Sequence, residues 1–138
     1  MEEEIMIELY CEDDPTTLTP VGKICKSAVD TWGFEKQLDV VVEELSELIL
    51  AIQKWKRYRN EIRSQNVAEE SADVRLVLLQ LQYMFDTQVD RKFTHIMNET
   101  VAYKQDRIQR RIARYQDTHP PRGPNVIMND WTPIDEIE

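Results

Sequence analysis

Glycine is scarce in this chain, with three in 138 residues. So few residues that take left-handed turns freely argue against a turn-rich β fold and favour long regular elements. Cysteine is limited to Cys11 and Cys25. That excludes a disulfide scaffold, fits a reducing compartment, and leaves Cys25 as a small core residue. No apolar run approaches the roughly 20 residues that span a bilayer, and the opening MEEEIMIELY is too acidic for a signal peptide. A soluble, cytoplasmic protein is expected. Positive charge is also in deficit, with 17 Lys and Arg against 26 Asp and Glu, a formal −9. This balance argues against binding a nucleic-acid polymer, which requires a basic field. A small anion presented by a metal ion remains compatible with it. Histidine occurs only at positions 95 and 119, and neither follows a glutamate by three residues, as the pairs of a di-iron carboxylate bundle do.

Helical periodicity is what the chain has in abundance. Residues 1–19 read as an acidic leader ending in DDPTTLT. Thr19 and Pro20 then suit an N-cap and first helical residue, and Gly33 suits a stop. A second helix is expected from about Phe34 to Arg59, because Leu38, Val41, Val42, Leu45, Leu48, Ile49 and Ile52 recur at helical spacing. Its cationic end, KWKRYRN, suits a helix C-terminus. Asn66 with Glu69 resembles a capping box opening a third helix to about Phe85, with Val74, Val77, Leu78, Leu81, Met84 and Phe85 as its stripe. A fourth helix is expected from about Val89 to Tyr115. Short connections imply antiparallel neighbours. The expectation is therefore an all-α, antiparallel four-helix bundle over residues 20–116. A tail, 117–138, follows, with Ile127 and Trp131 as candidate docking residues.

Acids lie at or near these apolar faces. With about 100° per residue, the arc of the second helix centres near Leu45 and Ile52. Glu44 and Glu47 fall to one side, on a stripe with Gln37, Val40, Ala51 and Trp55. Glu70 falls inside the arc of the third helix, with Asp73 at its margin. Buried carboxylates require a cation or a proton. An ExxE pair on one helix and an ExxD pair on the next can converge on one point, and hard oxygen donors suit Mg²⁺ or Mn²⁺. The plainer reading is solvated glutamates on an acidic protein, with Glu69 as a cap. On the fourth helix Lys104 falls between Val101 and Ile108, Arg111 lies at the edge and Arg107 more to the side. Lys104 either balances the acids or snorkels to water.

Glu43-Glu44-x-x-Glu47, then 22 residues, then Glu70-x-x-Asp73 resembles the EExxE…ExxD pattern of the MazG-like all-α nucleoside triphosphate pyrophosphatases. The resemblance spans roughly Trp32 to Ile112. It implies a helical homodimer or homotetramer that hydrolyses a nucleoside triphosphate to the monophosphate and pyrophosphate with Mg²⁺. It also implies Glu44, Glu47, Glu70 and Asp73 as metal ligands and Lys104, Arg107 and Arg111 as the basic residues near the phosphates. Glu47 or Glu43 would accept the proton of the attacking water, although Glu43 points further towards solvent. Trp32, Trp55 and Tyr58 are candidates to stack a base and Gln37 to read its edge, but such aromatics more often serve cores and interfaces. The second helix carries apolar residues on both arc and acid stripe, more than a lone bundle covers, which also favours self-association. The alternative function is a non-catalytic helical module that binds a metal or a partner.

Overall fold

The computed structural model describes residues 7–119. Among them the chain is all-α, with four helices, no strand, and one isolated bridge between Tyr10 and Leu18. No described helix is long and apolar enough to cross a membrane. The chain divides into two compact units between Arg91 and Lys92.

The first unit contains α1 (Pro20–Trp32), α2 (Phe34–Arg57) and α3 (Glu61–Gln88). Thr19 caps α1 as expected, its hydroxyl accepting the Gly22 N–H at 3.0 Å, with Pro20 at the first helical position. Gly33 ends α1 by donating its N–H to the Val29 carbonyl at 2.8 Å. Its φ of 87° turns the chain straight into α2, and a side chain there would be strained. α2 and α3 run antiparallel. Phe34 lies against Phe85, Val41 shares a cluster with Val77, and Glu47 approaches Glu70, so residue numbers facing each other keep a nearly constant sum.

Two boundaries differ from the sequence expectation. Asn60, rather than Asn66, caps α3, its side-chain oxygen accepting the Arg63 N–H at 2.9 Å. Nothing between them (EIRSQ) interrupts a helix, so the earlier cap prevails and Asn66 becomes an interior residue. α3 also continues to Gln88, which moves the start of α4 to Phe93.

The larger correction concerns which face of α2 is covered. Gln37, Val41 and Ala51 are the buried residues of α2, whereas Val42 is 63% and Ile49 62% exposed, with Leu45 and Ile52 also open. The covered arc is thus offset from the Leu45–Ile52 arc by somewhat less than the roughly 100° between successive residues. Val41 packs with Val29, Val77 and Met84, which turns the acid stripe towards α3 and the richest apolar arc outward.

A second cluster, Leu9, Cys25 and Leu79, joins the segment before α1 to this unit. Leu9 is 1% exposed, so the last part of the acidic leader contributes to the core. Tyr10 donates its hydroxyl to Asp86 at 3.0 Å, and Thr19 N–H bonds the Leu9 carbonyl at 3.1 Å. Gly22 is required where the segment crosses α1, since a Cβ there would fall on the Leu9 carbonyl oxygen. Ile127 and Trp131, the docking candidates of the tail, lie outside the described residues.

The second unit contains α4 (Phe93–Thr118), none of whose residues is buried. Ile96, Val101, Ile108 and Ile112 are each about half exposed. Along its surface His95 pairs with Glu99 at 3.3 Å, and Asp106 with Arg110.

Candidate metal centre

Because α2 turns its acid stripe towards α3, both ExxE and ExxD pairs meet at the seam. Carboxylate oxygens of Glu44, Glu47 and Glu70 all lie within 4.8 Å of one another. Glu44 and Glu70 are half-buried and Glu47 is exposed at the mouth. None of the three makes an ion pair among the described residues. Glu70 Oε2 is fully covered and has no hydrogen-bond partner among the described residues, an arrangement that a lone carboxylate does not tolerate without a proton or a cation.

The electrostatics carry the same signature. Burial, then the charges of Asp73, Glu47, Glu70 and Glu43, pushes the Glu44 carboxyl above its ordinary value. Burial, then the charges of Glu47, Asp73 and Glu69 and a hydrogen bond with the Glu47 carboxyl, push Glu70 up likewise. Three carboxylates of like charge, brought this close, fit a hard divalent cation such as Mg²⁺ or Mn²⁺. Asp73 is exposed and close enough to Glu44 to act on its charge, but it stands outside the group of three. Glu43 is exposed beside the cluster and also stays outside it.

The seam is hollow on both sides of the acids. One cavity, about 360 Å³, is lined by Trp32, Lys36, Gln37, Glu44, Asp73 and Gln80, among others. It brings together two of the residues that the sequence nominated for a base, Trp32 and Gln37. The other two, Trp55 and Tyr58, do not line it: Trp55 lies under the Arg59 guanidinium, 5.2 Å from its ring centre, and Tyr58 under that of Arg63, at 6.0 Å. The other cavity, about 330 Å³, is lined by Glu47, Ala51, Lys54, Arg63, Asn66 and Glu70, with Leu50. Lys104, Arg107 and Arg111 are all exposed on α4.

Lys54, Arg63 and Gln80 were not singled out from the sequence, although a signal was present. Lys54 follows Glu47 by two helical turns and Arg63 precedes Glu70 by two, so each shares a face with an acid. Starting the third helix at Asn66 left Arg63 in a connection, where no face could be assigned to it.

Compared with protein-family models, curated proteins and solved structures, the chain matches none.

Proposed function

We propose that this protein belongs to the class of helical carboxylate metalloenzymes that hydrolyse phosphoric anhydrides. Within that class we propose a MazG-like nucleoside triphosphate pyrophosphohydrolase, converting a nucleoside triphosphate and water to the monophosphate and pyrophosphate. The observation that carries this reading is the convergence of Glu44, Glu47 and Glu70 carboxylate oxygens within 4.8 Å of one another, with a second feature beside it, a covered Glu70 Oε2 that has no hydrogen-bond partner among the described residues. In this reading Glu44, Glu47 and Glu70 hold Mg²⁺ or Mn²⁺, with Asp73 on the Glu44 side. The ion, when bound, neutralises phosphate oxygens and lowers the pKa of a water.

The chain's own residues do the remainder. Water attacks the α-phosphorus as the bond to the bridging oxygen breaks, and pyrophosphate leaves. Glu47, which belongs to the cluster while Glu43 stays outside it, takes the water's proton and, being exposed, releases it to solvent. Trp32 and Gln37 receive the base. Self-association into a homodimer or homotetramer covers the Val42–Leu45–Ile49–Ile52 arc, whose exposure supports it.

The test is a panel of ordinary and modified nucleoside triphosphates with Mg²⁺, assayed for monophosphate and pyrophosphate. Turnover that Glu47→Ala abolishes is expected. No product from any substrate removes the enzyme reading. The same exposed arc would then favour the second reading, a non-catalytic module that binds a metal or a partner.

A further inference from the structure

The two cavities flanking the acids differ in chemistry, and that difference gives the seam a direction. At one end, Lys54 of α2 and Arg63 of α3 line the same cavity as Glu47 and Glu70. The sum of their numbers equals that of the Glu47–Glu70 and Glu44–Asp73 pairs, so the antiparallel register sets them opposite each other. They lie about 10 Å along the helices from the acids, seven residues at about 1.5 Å each. Neither makes an ion pair among the described residues. The Arg63 guanidinium leans on the Tyr58 ring, 6.0 Å from its centre, which limits its wandering. Two cations facing each other, with no carboxylate of their own, suit an anion with several oxygens.

At the other end the cavity holds Trp32, Gln37 and Gln80. Gln80 Oε1 is covered and has no hydrogen-bond partner among the described residues. The side-chain amides of Gln37 and Gln80 in that lining suit the N–H and C=O edge of a nucleobase, which a fully ionised phosphate lacks.

We infer that Lys54 and Arg63 form a pyrophosphate-binding end of the α2–α3 seam, so that a nucleoside triphosphate lies along it with its base towards Trp32 and Gln80. The inference rests on the pyrophosphohydrolase reading and adds residues and a direction to it. It places phosphate-binding cations on the helices that carry the acids, independently of α4.

The experiment is calorimetric titration of the full chain with inorganic pyrophosphate in Mg²⁺, and separately with Mn²⁺ alone and with uridine monophosphate. Lys54→Gln and Arg63→Gln should each weaken pyrophosphate by about tenfold, leaving Mn²⁺ and the monophosphate within about twofold. Lys54→Arg, which keeps the charge, should retain most of the affinity. Both variants should fold, since Lys54 is exposed and Arg63 only half-buried, which helical circular dichroism checks. Pyrophosphate affinity unchanged in both glutamine variants, or no pyrophosphate binding by the wild type, overturns the inference. Should the variants lose pyrophosphate while the wild type turns over no triphosphate, the anion site stands and the pyrophosphohydrolase reading falls. Wild-type turnover combined with unaltered pyrophosphate binding in the variants keeps the pyrophosphohydrolase reading and removes the anion site.

Discussion

Glu70→Gln keeps the size of the side chain at the covered end of the acid cluster and removes its charge. Without metal, the wild-type carboxyl is held among like charges and away from water, and its pKa is raised for those reasons. The neutral amide is relieved of that repulsion, so the metal-free variant should melt at or above the wild type near neutral pH. With metal the order reverses. An ion present at 100 times its Kd adds about 2.7 kcal/mol to the wild type, on the order of 10 °C for a domain of this size. Loss of one of three charged ligands should weaken the ion by at least about a hundredfold, since changes in the shell behind the ligands already cost about 10–100-fold. At the same Mg²⁺ concentration the variant would then gain at most about 0.4 kcal/mol, or 1–2 °C.

The pH dependence has a definite sign. Glu44 and Glu70 have folded-state pKa values above the ordinary 4.5, so the folded chain binds more protons than the unfolded one between 4.5 and the raised values. Metal-free stability therefore falls as pH rises through that window, while Mg²⁺ affinity rises because its ligands must lose their protons. Thermal melts with and without Mg²⁺ at pH 5 and 7.5 read both effects. Equal Mg²⁺-induced shifts in wild type and variant, or a metal-free variant melting far below the wild type, would refute the reasoning.

Three further predictions concern the fold. Leu9→Ala should cost about 2–5 kcal/mol in denaturant unfolding, because Leu9 is fully covered against Cys25 and Leu79; a cost under about 0.5 kcal/mol would mean the segment before α1 does not dock. Asn60→Ala should cost about 1 kcal/mol through loss of the α3 cap, whereas Asn66→Ala, inside the helix, should not show a capping loss; chemical denaturation of both locates the helix start. Ile49→Asp on the exposed α2 arc should leave helical content intact and convert a self-associating wild type to monomer by light scattering; a wild type already monomeric at micromolar concentration would remove the self-association proposal.

Local chemistry was legible wherever it decides structure by itself. Thr19, Pro20 and Gly33 bound α1 because capping and left-handed geometry depend on neighbours in the chain. The start of α3 was misread for a related reason. Asn60 and Asn66 are both competent caps, and the residues between them are all helix-compatible, so only the observed hydrogen bond to Arg63 separates them. Gly22 could not be interpreted locally at all, because its need for no side chain arises from Leu9, which arrives from a different segment.

The sequence by itself determined that the chain is helical and that Glu44, Glu47, Glu70 and Asp73 sit on the sides of two successive helices at one-turn spacing. Helical periodicity is a property of the backbone and needs no partner to express it. The tertiary structure decided which side of α2 meets α3, and it is the acid stripe, with Leu45 and Ile52 left outside. Hydrophobic attraction has no direction, so a helix with apolar residues over more than one arc can be covered on either. Packing among Val29, Val41, Val77 and Met84 makes that choice, and with it brings three carboxylates together.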